Sequence, residues 1–407
     1  MAATTDINAV PLTDDEIQGL RAETAARRHV VHFNHAGDSP TPDPVLKVMI
    51  DHLHLESEIG AYEAAALRED RLAAVYDSVA SLINAQRDEI AIVENATRAR
   101  DMLFYSMPLQ PGDRILTAAN EYGSNAIALL QVAQRGISVE LIPNDETGAL
   151  DLDAFRNLLD ERVRLVAITH MATNGGMIQP GEGVGRVLDE SGSDAVYLLD
   201  ACQTVGQMPI DVARIGCHAL SATSRKYLRG PRGRGFLYVR SELDNRLEPT
   251  FLDNHTATWT TADTYELAPG AQRFENWERP TAAVLGFGAA VDYAARIGID
   301  RSWATIAPRA AGLRDRLGAI PGVTIRDLGS ERGAIVSFTV ANHDPDEVKQ
   351  VLAVHRINVS ASEITSTRYD MEQRGPASVV RASVHYVTTE HECDVLAEQV
   401  ERLSAAT

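Results

Sequence analysis

The sequence predicts an α/β protein in which a mostly parallel β-sheet, covered by helices on both faces, forms the larger part. Between residues 89 and 199, five short apolar runs alternate with helical segments, and this alternation is typical of parallel sheets. At 407 residues, the chain is also long for a single hydrophobic core. We therefore expect a large domain over residues 31–285, a smaller C-terminal α/β domain over residues 286–407, and an N-terminal segment, residues 1–30, that packs with the small domain.

The individual elements follow from capping signals and apolar periodicity. Thr13-Asp-Asp-Glu16 has the form of a capping box that opens a helix, and Pro42-Asp-Pro44 opens a helical region that runs to about Ala85. The predicted strands of the large domain are Glu89–Val93, Arg114–Thr117, Ser138–Ile142, Leu165–Thr169 and Val196–Leu199. The helices between them are predicted at Ala99–Ser106, Ala126–Gln134, Asp151–Leu159 and Gly181–Glu190. In the C-terminal part, helices are expected at 281–296, 302–317 and 389–404, and strands near 323–327, 334–339, 356–360 and 378–384.

Composition and charge exclude several classes of protein. The formal net charge is −19 at pH 7, which argues against a nucleic-acid partner because phosphate neutralisation needs a broad basic surface. No apolar run approaches the roughly 20 residues that span a bilayer, and the N-terminus lacks the pattern of a signal peptide. The three cysteines, Cys202, Cys217 and Cys393, are too few and too scattered for a disulfide framework or a zinc site. We expect a cytoplasmic protein with no membrane contact and no metal.

One basic stretch stands apart from this acidic background. From Val212 to Ser241 there are seven Lys or Arg residues and no Asp or Glu. One of the three lysines of the chain, Lys226, lies in this stretch, in a glycine-rich turn between two apolar runs. The pattern indicates that an anionic group binds here.

Polar side chains follow the predicted strands, where ligands bind in open α/β sheets. Asp200-Ala-Cys-Gln203 follows one strand, Thr223-Ser-Arg-Lys226 follows the next, and Asn95-Ala-Thr97 stands where a strand turns into a helix. An aldehyde cofactor would use all of these groups. A desolvated lysine forms a Schiff base, a carboxylate pairs with a protonated pyridine nitrogen, and a helix N-terminus receives a phosphate. Spacing alone does not make this assignment specific.

Two segments have highly specific amino-acid sequences. They are Tyr197-Leu-Leu-Asp-Ala-Cys-Gln-Thr-Val-Gly206 and Leu220-Ser-Ala-Thr-Ser-Arg-Lys-Tyr-Leu-Arg-Gly-Pro-Arg-Gly-Arg-Gly-Phe-Leu-Tyr238. With them, the chain resembles the class V aminotransferase group of fold-type I enzymes that depend on pyridoxal 5'-phosphate (PLP), in its isopenicillin N epimerase-like and cysteine desulfurase-like branch. The resemblance extends from Phe33 to Tyr386. It implies the fold-type I architecture and PLP as the cofactor.

The resemblance also implies roles for residues that contact the cofactor. Lys226 matches the lysine that binds PLP covalently, and Asp200 matches the partner of the pyridine nitrogen. Tyr122 matches the aromatic residue stacked on the ring, which is a proton-transferring His in desulfurases, and the resemblance implies that all three are catalytic. Gln203 is expected near the phenolic oxygen, beside either Thr173 or Asn174. The residues that the resemblance implies for the phosphate are Ala96, Thr97, Thr223 and Arg225, the last of which replaces a His of desulfurases.

On the substrate side, the resemblance implies that Arg381 binds the α-carboxylate of an amino-acid-type substrate. Asn34 and His35 match the loop that approaches the substrate, and His35 and His170 are candidates for proton carriers. The family also implies a homodimer.

The sequence indicates the cofactor more clearly than it indicates the type of reaction. A cysteine desulfurase needs a nucleophilic thiol on a loop before Arg381, and the corresponding region, residues 358–375, has no cysteine. We therefore expect β-elimination of the C–S lyase type or amino transfer. Similarity of residues 169–176 and 382–386 to isopenicillin N epimerase-like enzymes suggests secondary metabolism. The alternatives are an epimerase or a decarboxylating enzyme, a non-catalytic PLP-binding protein, and simple phosphate or nucleic-acid binding by the basic stretch.

Overall fold

The computed structural model describes residues 9–243 and 246–405. The helices of this part of the chain are α1 (Asp14–Ala22), α2 (Asp43–Ile59), α3 (Ala61–Ala66), α4 (Glu69–Ile83), α5 (Ala96–Phe104), α6 (Gly123–Ala133), α7 (Leu152–Leu158), α8 (Gly181–Ser191), α9 (Val212–Ile215), α10 (Thr281–Ile297), α11 (Ile299–Gly318), α12 (Pro345–Val354), α13 (Arg368–Arg374) and α14 (Glu390–Ala405). The strands are β1 (Val31–His32), β2 (Ile90–Val93), β3 (Arg114–Thr117), β4 (Ser138–Leu141), β5 (Val163–Thr169), β6 (Val196–Asp200), β7 (Ala219–Thr223), β8 (Gly235–Val239), β9 (Ala257–Thr261), β10 (Thr264–Leu267), β11 (Val323–Ile325), β12 (Ile335–Val340), β13 (Ile357–Asn358), β14 (Ser360–Glu363) and β15 (Ser378–Ser383).

The large sheet has seven strands in the order β2-β8-β7-β6-β5-β3-β4. Only β8 runs antiparallel to its neighbours, β2 and β7, whereas the pairs from β7 to β4 are parallel. The predicted mostly parallel α/β fold is confirmed. Because β5, β6 and β7 are parallel neighbours, the residues that follow them lie at the same edge of the sheet.

Both faces of this sheet are buried. Every residue of β2, β3, β6, β7 and β8 is buried, which explains why these strands appear in the sequence as continuous apolar runs rather than alternating ones. Helices α4, α8 and α10 contribute to the apolar cluster on one face. Helices α5 and α6 contribute to the cluster on the other face. The sheet therefore holds its strand ends at fixed positions.

The small domain is built on an antiparallel sheet of four strands, β11-β12-β15-β14. The described part of the N-terminal segment, from residue 9, contacts helix α11, and the expected domain bounds stay a prediction. The backbone N–H of Leu12 donates to Thr305 Oγ1 at 2.9 Å, and Arg301 binds Glu16 at 2.7 Å. The proposed boundary at residue 285 falls inside α10, whose residues belong partly to the large-domain cluster and partly to the small-domain cluster.

Three local features differ from the sequence prediction. The single helical region from residue 42 to 85 is divided into α2, α3 and α4, and the first break is at Gly60, which has φ +101°. The strand expected near 356–360 is divided into β13 and β14. The hairpin β9–β10 was not predicted, because most of its residues are exposed and polar and give no apolar alternation.

No single helix in the described parts of the chain is both long enough and apolar enough to cross a membrane. Only α10 and α11 taken together meet that test by length and composition, and they are bent by 76° at their junction.

Candidate active site

A cavity of about 430 Å³ opens at the carboxyl ends of β5, β6 and β7, next to the N-termini of α5 and α6. Its lining contains nine of the residues expected at the cofactor: Ala96, Thr97, Tyr122, Thr173, Asp200, Gln203, Thr223, Arg225 and Lys226. It also contains five residues that we did not predict: Asn95, Asn125, Thr169, Met171 and Cys202. The predicted residues Asn174, Arg381, Asn34 and His35 are not part of this lining.

The backbone around Lys226 is held in a closed turn after β7. The N–H of Gly230 donates to the carbonyl of Ser224 at 2.9 Å, and the N–H of Arg229 donates to the carbonyl of Lys226 at 3.0 Å. Gly206 lies directly behind this turn with φ +91°, and a Cβ there would stand 2.6 Å from the backbone N of Leu228. Only glycine fits at residue 206. These contacts therefore fix the backbone of the turn that carries Lys226 at the cavity.

The surroundings of Lys226 lower the pKa of its ammonium group. Burial lowers the pKa of the ammonium group, Cys202 and Asp200 oppose this change, and the guanidinium groups of Arg225 and Arg381 lower the pKa further. A neutral amine is the form that attacks a carbonyl and that accepts a proton. Lys226 thus has the electrostatic setting of a reactive lysine rather than of a surface lysine.

Asp200, at the end of β6, is held by two hydrogen bonds. Its Oδ1 accepts from the backbone N–H of Cys202 at 2.9 Å, and its Oδ2 accepts from Asn125 Nδ2 at 2.9 Å. Asn125 lies one turn into α6, so this helix fixes the carboxylate from the side. The carboxylate is buried and forms part of the cavity wall.

Thr173 connects the cavity to Arg381. Its Oγ1 accepts hydrogen bonds from Gln203 Nε2 at 3.1 Å and from Arg381 Nη1 at 3.0 Å. Since a hydroxyl oxygen has two lone pairs, both are then used, and its own proton is left for a third partner. Arg381 Nε and Gln203 Oε1 are buried and have no hydrogen-bond partner in the part of the chain that the structure describes. Buried polar atoms without partners are typical of a site that binds polar groups of a ligand.

The sequence left open whether Thr173 or Asn174 lies at the cofactor, and the two residues have different positions in the structure. Asn174 lies outside the cavity lining and binds the small domain instead: its Oδ1 accepts from Ser362 Oγ at 2.5 Å and its Nδ2 donates to the carbonyl of Glu363 at 3.2 Å. It holds the segment that corresponds to the cysteine-bearing loop of desulfurases. Thr173 is the residue that faces the cavity.

The start of α5 forms the polar end of the cavity. Asn95 caps the helix, because its Oδ1 accepts from the N–H of Arg98 at 2.9 Å. The first N–H groups of a helix, here those of Ala96 and Thr97, have no partner within the helix and favour an anion. A Cβ at Gly235 would stand 3.1 Å from the backbone N of Ala96. The glycine therefore lets β8 approach this turn closely.

His35 and His170 lie outside the cavity. His35 is fully buried, and its ring nitrogens bond to Arg27 at 2.8 Å and to Ser39 at 2.8 Å. His170 bonds to Thr204, and burial lowers the pKa of its imidazole to about 4. Asn34 likewise lies beyond the cavity lining, next to β15. The substrate contacts of Asn34 and His35 and the role of either histidine as a proton carrier stay predictions.

The arrangement fits PLP. One wall holds the amine of Lys226, another holds the Asp200 carboxylate for a pyridinium nitrogen, and the N-terminus of α5 can accept a phosphate. Tyr122 lines the same cavity and is about one-third exposed (37%). The sequence missed Asn125 and Glu121, whose role depends on contacts between elements: Asn125 Nδ2 donates to Glu121 Oε1 at 2.7 Å and to Asp200 Oδ2 at 2.9 Å. Their only signal was their closeness to Tyr122 in the sequence.

The chain matches the family model of class-V aminotransferases over residues 31–396. It belongs to the class-V aminotransferase family and is a PLP-dependent enzyme. The resemblance found in the sequence is confirmed.

Curated relatives match almost the whole chain. The probable cysteine desulfurase of Methanothermobacter thermautotrophicus is 29% identical over 399 residues, which cover 95% of this chain and 98% of the relative. The probable cysteine desulfurase of Pyrococcus abyssi is 28% identical over 396 residues, which cover 95% of this chain and 97% of the relative.

Solved structures show the same fold. The apo cysteine desulfurase of Thermococcus onnurineus matches with a TM-score of 0.89 and 24% identity, over 96% of this chain and 98% of that one. The cystine C–S lyase C-DES, solved with its product cysteine persulfide, matches with a TM-score of 0.82 and 22% identity, over 92% and 97% of the two chains.

Proposed function

We propose that this enzyme is a C–S lyase that catalyses β-elimination from an S-substituted L-cysteine. The balanced reaction takes the amino acid and water to a thiol, pyruvate and ammonia. The observation that carries this proposal is the state of Cys202, the one cysteine at the cavity among the described residues. Burial raises the pKa of its thiol, and the Asp200 carboxylate raises it further, so the thiolate that sulfur transfer needs is disfavoured.

The other two cysteines give no acceptor for sulfur either. Cys217 and Cys393 are buried away from the cavity, and burial raises the pKa of Cys217 to about 12. Segment 358–375 has no cysteine. Sulfur that leaves the substrate must therefore depart with its own substituent, as a thiol or persulfide, rather than on a protein sulfur.

The residues of the cavity would each make a different contact with bound PLP. Lys226 would hold PLP covalently, Asp200 would keep the ring nitrogen protonated, and Thr173 and Gln203 would face the phenolic oxygen. Bound PLP supplies an electron sink for the charge that develops at Cα. The N-terminus of α5, with Thr223 and Arg225, would bind the phosphate.

Lys226 is the base that this geometry supports best. With PLP and substrate bound, the amine of Lys226 would be free, and because burial lowers its pKa it would accept the Cα proton. The resulting ammonium would donate a proton to the departing sulfur. Tyr122 lines the same cavity and would stack on the cofactor ring.

Arg381 would bind the substrate carboxylate. Its Nη1 is already engaged by Thr173, at 3.0 Å from Oγ1 and 3.1 Å from the carbonyl oxygen. This leaves the Nε side of the guanidinium, which is buried and has no hydrogen-bond partner among the described residues, to receive a carboxylate. Because Thr173 contacts both Arg381 and Gln203, it would connect binding of the carboxylate with binding of the cofactor.

The relatives favour cleavage of a C–S bond over the other reactions considered. They are named as desulfurases and a C–S lyase, and they give no support to epimerisation, decarboxylation or a setting in secondary metabolism. A carboxylate site at Arg381 argues against a protein that only binds PLP. Amino transfer would use the same residues, and it differs in its product, a keto acid that retains the sulfur substituent.

The assembly expected for the family is a homodimer. Four large aromatic side chains on and near the hairpin β9–β10 are exposed: Phe251, Trp259, Tyr265 and Trp277. Such residues are enriched in protein interfaces. The homodimer and the cytoplasmic location remain predictions.

The experiment that tests the proposal is product analysis with S-substituted L-cysteines and L-cystine. We expect pyruvate, ammonia and thiol or persulfide in equal amounts, and no activity in Lys226→Ala, which should also lose the visible absorption band of the bound cofactor. A keto acid that retains sulfur would replace elimination by amino transfer. Formation of alanine would indicate desulfuration and contradict the proposal.

A further inference from the structure

Glu121 is a buried carboxyl group beside the cofactor cavity that the proposed reaction does not use. It lies between β3 and α6, immediately before Tyr122, and is 1% exposed. A polar group buried to this extent is tolerated only when hydrogen bonds replace those that it made with water. Glu121 is not part of the cavity lining. Any effect that it has on the cofactor must therefore pass through the groups to which it is bonded.

One oxygen of this carboxyl group binds two groups that can only donate. Its Oε1 accepts from the backbone N–H of Tyr122 at 2.9 Å and from Asn125 Nδ2 at 2.7 Å, and the hydroxyl of Thr169 also contacts it. Its Oε2 lies 3.0 Å from Thr117 Oγ1. Because an N–H and an amide NH2 have no acceptor capacity, Oε1 must be the acceptor. This holds both for an ionised carboxylate and for an acid that is protonated on Oε2.

Asn125 connects this oxygen to Asp200. Its Nδ2 donates to Glu121 Oε1 at 2.7 Å and to Asp200 Oδ2 at 2.9 Å, and since an amide nitrogen carries two N–H bonds, each oxygen receives one. The terminal torsion of an Asn side chain is soft, so hydrogen bonds decide how the plane of the amide is turned. Glu121 thus fixes the plane of the amide that holds the Asp200 carboxylate.

The same oxygen also holds the backbone of Tyr122. Tyr122 is the N-cap residue of α6, with φ −69° and ψ 139°, and its side chain makes no capping hydrogen bond. Its N–H donates to Glu121 Oε1 at 2.9 Å, whereas a second acceptor, Thr169 Oγ1, is farther away at 3.4 Å. The ring of Tyr122 lines the cavity. Glu121 therefore determines where the backbone that carries this ring lies.

We propose that Glu121 is a positioning residue for the cofactor ring: through Oε1 it orients the Asn125 amide that holds Asp200 and fixes the backbone of Tyr122. The inference rests on the cofactor contacts proposed above for Asp200 and Tyr122, and it does not depend on the type of reaction. The role is that of a hydrogen-bond acceptor, so a neutral amide oxygen can perform it. A purely structural role would change the stability of the fold and leave the cofactor unaffected.

The test compares PLP binding by the full-length wild type, Glu121→Gln and Glu121→Leu. Gln keeps an oxygen at the Oε1 position, so the dissociation constant for PLP should stay within about threefold of the wild type. Leu has a similar size and no acceptor, so this constant should rise about tenfold, as expected for the loss of about one hydrogen bond. The circular dichroism of the visible cofactor band, which depends on how the ring is held, should weaken in Glu121→Leu and persist in Glu121→Gln.

Glu89→Leu is the matched control. Glu89 is a second buried glutamate, and its carboxyl oxygens also accept from backbone N–H groups, those of Gln86 at 3.0 Å and Ser241 at 3.1 Å. It precedes β2, whereas the cavity residues Asn95 and Ala96 follow that strand. Glu89→Leu should lower the free energy of unfolding and leave the PLP dissociation constant and the circular dichroism unchanged.

A second set of variants tests the connection through Asn125. Asn125→Ala removes the donor to Asp200, so the PLP dissociation constant should again rise about tenfold. Adding Glu121→Leu to Asn125→Ala should raise it further by a smaller factor than in the wild type, because the two residues act in part through one amide. Glu121→Ala removes the same acceptor with a smaller side chain and takes the place of Glu121→Leu should the latter not fold.

Three results would overturn the proposal. They are wild-type PLP binding in Glu121→Leu and Glu121→Ala, a loss of affinity in Glu121→Gln as large as in Glu121→Leu, and fully additive effects of the Glu121 and Asn125 substitutions. Asp200→Asn tests the contact on which the inference rests and should itself weaken PLP binding. Unchanged binding in Asp200→Asn would overturn that contact together with this inference, whereas a failed elimination assay would bear only on the type of reaction.

Discussion

The hydroxyl of Thr173 offers a sharp test of how the substrate and cofactor sites are connected. Thr173→Val replaces that hydroxyl with a methyl group of the same shape. It removes the hydrogen bonds from Gln203 Nε2 at 3.1 Å and from Arg381 Nη1 at 3.0 Å. Both donors keep another acceptor, the carbonyls of Ala36 at 3.2 Å and of Thr173 itself at 3.1 Å. No donor is orphaned, so the free energy of unfolding should fall by only about 2 kcal/mol.

The same substitution should also weaken substrate binding. Arg381 loses one of the two groups that orient it, so KM for the amino-acid substrate should rise about tenfold, equivalent to about 1.4 kcal/mol. Thr173→Ser keeps the hydroxyl and is the matched control. Steady-state kinetics and urea denaturation of both variants would measure these quantities. Equal KM values and equal unfolding energies for the two variants would refute the connection.

Three further outcomes follow from the structure. Asn174→Ala removes the hydrogen bonds to Ser362 and to the carbonyl of Glu363, so limited proteolysis should cut residues 360–375 faster than in the wild type, whereas Ser362→Ala should show a smaller increase. Gly206→Ala places a Cβ 2.6 Å from the backbone of the lysine turn at φ +91°, and should cost about 3 kcal/mol or more of stability and lower PLP loading. His170→Asn should reduce the loss of stability in acid. The pKa of His170 is about 4 in the folded state and 6.5 in the unfolded state, so the unfolded chain binds a proton first as the pH falls. Between pH 7 and pH 4, the free energy of unfolding should therefore fall by about 3 kcal/mol more in the wild type than in the variant.

The strands of the large sheet were predictable because they are buried on both faces. Val196–Asp200 and Ala219–Thr223 have no exposed residue, and such continuous apolar runs are visible in the sequence. The direction of β8 was not visible, because its apolar run looks the same whether the strand is parallel or antiparallel. The hairpin β9–β10 was missed because it is exposed and contributes no apolar pattern.

The site was predictable where residues follow strands directly. Asp200 and Lys226 come immediately after parallel neighbours, and the cavity brings both together with Thr173. The contacts of Asn125 could not be recognised in the same way. Its Nδ2 donates to Glu121 Oε1 and to Asp200 Oδ2, and the second of these bonds joins residues that are 75 positions apart in the sequence. The role expected of His35 stays a prediction: its side chain is buried, and its ring nitrogens bond to Arg27 and Ser39.

The central claim is that sulfur leaves without passing through a protein thiol. The most direct measurement is the product ratio of a cysteine-free enzyme, Cys202→Ser/Cys217→Ser/Cys393→Ser, in single-turnover reactions with L-cystine after its PLP content has been matched to the wild type. We expect pyruvate and ammonia at a rate within about threefold of the wild type, with no alanine. Loss of turnover in a fully PLP-loaded cysteine-free enzyme, or alanine as a product of the wild type, would contradict it.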